Sequence, residues 1–284
     1  MTDRRTILIS GATGKQGGAL AHALSGAGFH LRGLTRKPDS DAAKALAAAG
    51  IEIVRGDLND PASLEAALAG VWGAFGVQNT WEAGVEGEEE QGKRFATIAR
   101  KAGVQHFVYT SVGSAHRQTG IPHFENKWRI EETVRGLGFP SHVIIRPVFF
   151  MENLLSPWFL NGDVLAAAMN PATSLQMIAV SDIGKYAARA FTHAGVLNRR
   201  EIDIAGDSVT LPEAASILSA GLGRNIAFRP IPIADVRKNS EDFALMLEWF
   251  DRVGYNVDIA ANVREFGIAP TTLAEWIATQ RSSS

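Results

Sequence analysis

The chain has 284 residues, 46% of them hydrophobic and 20% charged, with a formal net charge of −2. Its length suits one large core or a main domain with a smaller appendage, and its charge balance leaves no electrostatic footprint for nonspecific nucleic-acid binding. There is no cysteine, which excludes disulfides, thiolate nucleophiles, cysteine-based zinc sites and direct thiol redox sensing, so any redox role has to pass through a cofactor.

His22, His30, His106, His116, His123, His142 and His193 show no metal-ligand spacing, and no metal is expected. No stretch approaches the ~18 consecutive apolar residues of a membrane helix. The opening MTDRRTILIS enters a strand-like run too early for a signal peptide, which predicts a cytoplasmic protein with no membrane contact.

From the start of the chain, short apolar runs alternate with Ala-rich stretches of helical period. Strands are expected at Thr6 to Ser10, His30 to Thr35, Ile51 to Arg55, Gly73 to Val77, His106 to Thr110 and His142 to Arg146. Helices are expected between them at Gly17 to Ala27, Asp39 to Ala49, Pro61 to Leu68, Glu86 to Ala102 and Phe124 to Leu137. This βα rhythm predicts an α/β protein built on a doubly wound Rossmann parallel sheet with right-handed crossovers.

The rhythm changes after Arg146-Pro147. Turn signals at Ser156-Pro157, Asn161-Gly162-Asp163 and Asn170-Pro171 lead to Ser181-Asp182, read as the N-cap of a helix running to about Thr192. A strand at Arg200 to Ala205, a helix at Pro212 to Gly221 and a short strand at Ile226 to Pro230 follow. Amphipathic stretches at Glu241 to Val253 and Thr272 to Gln280 precede a terminal Ser282-Ser283-Ser284 expected to fray. The division expected is a Rossmann domain over 1–147 and a smaller α+β C-terminal lobe over 148–284, with segments returning to the main sheet and a cleft at the strands' carboxyl ends.

Gly11, Gly14 and Gly17 stand at GxxGxxG spacing between the first strand and the first helix. That context suits a dinucleotide pyrophosphate: one glycine for the turn, one for close backbone approach and one for helix-to-strand packing at a positive helix end. A plain strand-to-helix turn is the alternative. At the second strand's exit, where an acidic residue would hold a bare ribose, the chain reads Leu34-Thr35-Arg36-Lys37-Pro38. Arg36 can stack on adenine and fork onto a phosphate while Lys37 adds a second charge, which favours NADP(H), unless both side chains simply face solvent. Asp57 follows the third strand, either accepting from an adenine amino group or serving as a turn or cap residue. Gln78 and Asn79 follow the fourth strand, and Thr110-Ser111 ends the fifth, positions where cofactor contacts collect.

GATGKQGG, Leu34-Thr35-Arg36, Gly56-Asp57-Leu58, Val108-Tyr109-Thr110-Ser111, Arg146-Pro147 through Glu152-Asn153-Leu154, and Val180-Ser181-Asp182-Ile183-Gly184 together resemble the NmrA-like family over nearly the whole chain. That family is an atypical branch of the short-chain dehydrogenase/reductase superfamily. The resemblance implies an NADP(H) cofactor held by Gly11, Thr13, Gly14, Lys15, Gln16, Gly17, Arg36, Lys37, Asp57, Leu58, Gln78, Asn79, Thr110, Lys127, Pro147 and Phe149. It implies two kinds of function, since the family includes NADPH-dependent reductases and NADP(H)-sensing regulators without turnover.

The wider superfamily uses Ser, Tyr and Lys in a Tyr-x-x-x-Lys pattern, with tyrosine as general acid. Here Lys127 aligns with the lysine, His123 occupies the tyrosine position and Ser111 lies at about the serine position. Three readings stand: His123 donates the proton, Lys127 alone does so as in the isoflavone-reductase-like branch, or Lys127 only binds the ribose and nothing turns over. His123 can also be read as a plain loop histidine before a helix. Trp81, Trp128, Phe149, Phe150, Met151, Leu154 and Trp158 are candidates to line a substrate pocket, those just after the sixth strand above all. The acidic run Glu86 to Gln91 reads as a solvated helix face. The function expected is NADPH-dependent reduction of a small hydrophobic carbonyl or quinone, or else cofactor sensing coupled to a protein partner.

Overall fold

The computed structural model describes residues 5–281, so the serine tail lies outside the described residues. Its first half runs β1 (Thr6–Ile9), α1 (Lys15–Ala23), β2 (His30–Thr35), α2 (Asp41–Ala48), β3 (Glu52–Arg55), α3 (Pro61–Leu68), β4 (Gly73–Gly76), α4 (Thr80–Lys101), β5 (His106–Thr110), α5 (Pro122–Gly136) and β6 (Ser141–Pro147). The remainder runs β7 (Phe149–Phe150), β8 (Leu160–Asn161), β9 (Val164–Ala167), β10 (Ser174–Ile178), α6 (Val180–Thr192), β11 (Arg200–Ile204), β12 (Asp207–Thr210), α7 (Leu211–Leu222), β13 (Ala227–Pro230), α8 (Ile233–Asn239), α9 (Glu241–Arg252), α10 (Ile259–Phe266) and α11 (Leu273–Arg281).

All six strands expected in the first half form, and β11 joins them in a seven-stranded sheet of order β11-β6-β5-β4-β1-β2-β3. Every pairing in it is parallel, with Ile7 opposite Leu31 and Gly73, and Ile202 opposite Ile145. The central strands β4 and β5 are buried throughout, as a parallel sheet covered on both faces requires. The chain folds as a doubly wound α/β structure with a smaller strand-containing C-terminal region.

Alternation along β1 divides the core. Ile7 and Ile9 pack with Leu20, Ile145, Ile183 and Phe191 beneath α1 and α6. Leu8 points the other way, toward Leu64, Phe95, Phe107 and Ile130 under α3, α4 and α5. Each such side chain, fully buried, contributes about 1.5–3 kcal/mol. A third cluster, including Phe124, Phe149, Met151, Leu154, Leu218, Phe250 and Trp276, binds the C-terminal elements together. This corrects the expected pocket lining: Phe149, Met151 and Leu154 are spent on that core, Phe149 from β7 where it pairs with β10 and the other two from the helical turn that follows. Trp128 is also diverted, covered by the Arg135 guanidinium 4.2 Å from its ring.

Two small three-stranded sheets, β12-β10-β7 and β13-β9-β8, complete the C-terminal region. α6 returns to pack on α1, where a Cβ on Gly184 would lie 2.6 Å from the Ala19 carbonyl carbon and oxygen, so only glycine permits this crossing. Ser181-Asp182 is not the cap of α6. The helix starts at Val180 behind Ala179, whose methyl cannot accept a hydrogen bond, and the Glu152 carboxylate takes the Val180 amide at 3.0 Å. Asp182 instead turns inward and accepts from Thr271 N at 2.7 Å and Thr271 Oγ1 at 2.9 Å, latching the segment before α11. Among the described residues no helix is long and apolar enough to cross a membrane.

Candidate functional site

The glycine turn sits at the carboxyl end of β1, held to the end of β4 by Ser10. Its hydroxyl lies 3.0 Å and 3.1 Å from the Phe75 and Val77 carbonyl oxygens and accepts from Val77 N at 2.9 Å. Gly14 is the N-cap of α1, which has no side-chain cap and no acidic residue in its first turn. A Cβ on Gly17 would lie 2.3 Å from the Gly11 carbonyl oxygen, so α1 reaches this depth only because that side chain is absent. The helix thus opens its unpaired amide donors and positive end to whatever approaches the turn. Thr13 and Lys15 are exposed on it, and Gln16 accepts from Thr110 Oγ1 at 2.6 Å, tying the β5 exit to the turn.

At the β2 exit Arg36 and Lys37 are both exposed, and Arg36 pairs with Glu82 in the first turn of α4. Asp57 closes its own turn, accepting from Asn59 N at 2.9 Å, while Leu58 offers its carbonyl to Arg94 Nη1 at 2.9 Å. Asn79 caps α4 by accepting from Trp81 N. Its neighbour Gln78 is only 7% exposed, and neither its amide nitrogen nor its amide oxygen has a partner among the described residues. The buried Ser111 hydroxyl at the β5 exit is equally unpaired. Unsatisfied buried polar groups cost about 1–3 kcal/mol each. Gln78 and Ser111 follow the paired strands β4 and β5, so these two groups lie at neighbouring strand ends.

The acidic run on α4 is solvated at Glu86 and Glu90, as expected, but Glu88 within it is 0% exposed. One carboxylate oxygen takes Lys127 Nζ at 2.6 Å, and the other takes Thr80 Oγ1 at 2.6 Å and Asn126 Nδ2 at 3.0 Å. Burial alone raises a carboxyl's proton affinity. Here the Lys127 ammonium and three hydrogen bonds outweigh it, and Glu88 titrates below its ordinary value. The signal was present in the sequence, since Glu88, Gly92, Phe95 and Ala99 fall at helical spacing on one face of α4.

His123 is not a loop residue but lies buried in the first turn of α5, four residues before Lys127. Its ring Nδ1 and its backbone amide both meet Asp242 on α9, the amide at 3.0 Å from Oδ1. The Trp81 ring lies 5.6 Å away on α4. Trp81 and Trp158 are 61% and 63% exposed, and Phe243 touches both. Pro147 ends β6 with its carbonyl taken by Gly113 N at 2.8 Å. A separate groove of about 860 Å3 runs between α1 and α6 past Lys15, Glu152 and Lys185. Glu88, Asp242 and Phe243 escaped the sequence reading. The last two have no local signal, since tertiary packing across more than a hundred residues brings Asp242 to His123 of α5 and Phe243 to Trp81 of α4.

The doubly wound sheet and its glycine turn define a Rossmann-type α/β protein. The NmrA-like family model matches residues 3–277, and the chain belongs to the NmrA-like family. Among curated relatives, an NmrA-like family domain-containing oxidoreductase, FrzB of Cladobotryum sp, is 37% identical over 161 residues, covering 53% of this chain and 48% of that protein. Like this one, several of these alignments take in about half of each relative's length. Among solved structures, the Escherichia coli NADPH-dependent quinone oxidoreductase QOR2 complexed with NADPH is 25% identical, with a TM-score of 0.80 over 97% of this chain and 99% of that one. NmrA, a negative transcriptional regulator, shares the fold at 20% identity and a TM-score of 0.74, over 99% of this chain and 92% of that one.

Proposed function

We propose that the protein is an NADPH-dependent reductase of a small hydrophobic carbonyl or quinone. The observation that carries the reading is the group of unsatisfied donors and acceptors at adjoining strand ends, namely the uncapped α1, the Gln78 amide and the Ser111 hydroxyl. An extended polar cofactor laid across the carboxyl ends of β1, β4 and β5 would satisfy all three, and the glycine turn leaves room for its phosphates. The residues therefore fit NADP(H). The quinone oxidoreductase likeness and the relatives named as oxidoreductases point the same way.

In this reading the α1 amides bind the pyrophosphate and Arg36 takes the adenosine phosphate, releasing Glu82. A bound nicotinamide supplies hydride. Ser111 orients the substrate oxygen, and His123, in place of the superfamily's tyrosine, gives that oxygen a proton. Lys127 is better placed as a ribose ligand than as the acid, because Glu88 already occupies its ammonium.

That same ion pair favours a second reading, a nonenzymatic sensor. There Lys127 leaves Glu88 only when cofactor is bound, and α4 moves to signal a protein partner. Absorbance assays decide between the two. Steady NADPH oxidation by a naphthoquinone, lost in Lys127→Ala, is the expected result. No turnover across a panel of quinones and aldehydes, with unequal affinities for NADPH and NADP+, would leave the sensor.

A further inference from the structure

We propose that Asp242 and His123 form a proton-donating dyad, and that Trp81, Phe243 and Trp158 make an aromatic rim presenting a planar aromatic carbonyl to it. The inference rests on the reductase reading and adds a positioning residue, Asp242, and a substrate class.

α5 begins behind Ile121, which has no side chain able to cap it, so the His123 amide is an orphan donor. Asp242 reaches over from the first turn of α9 and accepts that amide on Oδ1, at 3.0 Å. With Oδ1 committed, Oδ2 meets the imidazole Nδ1. The carboxylate thereby fixes the ring's orientation and its tautomer, with the proton on Nδ1. The ring is braced by Phe124 at 4.8 Å and Trp81 at 5.6 Å. Nε2 makes no hydrogen bond to any described residue, and the side chain keeps 9% of its surface exposed.

The rim stands beside that ring. Trp81 lies 6.1 Å from Phe243, and Trp158 lies 5.8 Å from it, so one buried-edge phenyl carries two largely exposed indoles. Flat apolar faces next to a ring nitrogen suit an aromatic carbonyl, and an aliphatic sugar or acid would gain little there. A bound NADPH would supply two electrons and one hydrogen to the quinone, which would leave one quinone oxygen anionic and in need of a proton. The Nε2–H bond of the imidazolium then breaks, its electrons stay on nitrogen and the new O–H bond completes the hydroquinone. The remaining neutral imidazole keeps Nδ1–H on Asp242 and regains its Nε2 proton from water.

Asp242→Asn tests the geometry. Its side-chain oxygen has to stay on the His123 amide, so its NH2 faces Nδ1, which then becomes an acceptor and moves the ring proton to Nε2. Ring nitrogen NMR of the free protein, taken at a pH where the ring is neutral, is expected to show Nδ1–H in the parent and Nε2–H in the variant. The variant's kcat for a naphthoquinone should fall about 100-fold with little change in KM, as for loss of a general acid. His123→Asn should lose as much, and the double variant no more. By calorimetry without NADPH, Trp81→Ala and Trp158→Ala should each weaken naphthoquinone binding about fivefold, the scale of one aromatic contact.

An unchanged kcat in Asp242→Asn, or unchanged ring tautomer, overturns the dyad. Unchanged affinity in both tryptophan variants overturns the rim. Absence of turnover in the parent protein sinks the reductase reading and proton donation together, whereas turnover that Asp242→Asn leaves intact sinks the dyad alone.

Discussion

Arg36 and Glu82 show how a residue's role is set by competition. The guanidinium at the β2 exit is exposed and paired with a carboxylate from α4, so a cofactor phosphate has to displace Glu82 to reach it. Both side chains are more than half exposed, so this screened pair is worth only about 0–1 kcal/mol, little for a multiply charged phosphate to displace. Arg36→Ala is therefore expected to weaken NADPH binding at least about tenfold more than NADH binding, and Glu82→Gln to tighten NADPH. Fluorescence titrations of both cofactors check this, and equal losses would remove Arg36 from the phosphate site. Glu88 poses the opposite case, a buried carboxylate whose only countercharge among the described residues is Lys127. Glu88→Gln keeps an acceptor for Thr80 but strands the lysine, at a cost of about 3–5 kcal/mol in chemical unfolding. The folded carboxyl titrates below its unfolded value, so its contribution is present above pH ~4.3 and fades as pH falls through the folded pKa. The variant should flatten that acid limb.

At the scale of elements, β5 carries a second pH dependence. His106 is buried between Trp72 and Phe191 with its Nδ1 on Ser141 Oγ at 2.8 Å, and burial lowers its pKa to about 4. The folded state thus binds fewer protons than the unfolded chain between pH 4 and the ordinary histidine value. Stability is full above ~6.5 and declines by up to about 3 kcal/mol as pH drops toward 4. Urea midpoints across this range should show the decline, and His106→Gln should remove much of it. The α1 helix depends on a single missing atom. Gly17→Ala drives a methyl against the Gly11 carbonyl, so α1 has to back away, costing about 1–3 kcal/mol and the cofactor site with it.

Across the whole molecule, the C-terminal chain is fastened to the main sheet at a few long-range points. β11 completes the sheet edge beside β6, where Arg146 pairs with Glu131 of α5 and Glu201 of β11. Asp182 of α6 holds Thr271 ahead of α11. Asp182→Ala leaves the Thr271 amide unpaired, and hydrogen exchange should quicken across α11 while β1 and β4 stay protected. Unchanged α11 protection would show that Trp276 and Ile277 hold it by packing alone.

The sequence by itself determined the parallel sheet, its strand succession and the glycine turn, because apolar period, turn residues and helix breaks are local properties written within ten or twenty residues. Even so, Gly84, with a φ of 76°, splits α4 and lets the helix begin at Thr80, earlier than the expected Glu86. Tertiary structure alone decided what the site residues face. The pattern of one helix shows a carboxylate at 88 or 242 but not its partner, and burial set those partners by leaving each charge only one place to be satisfied. Lys127 met Glu88 across 39 residues, and His123 met Asp242 across 119. Packing also turned Phe149 and Met151 into core and left Trp81 and Trp158 in the open, since only the finished fold decides which apolar faces are covered.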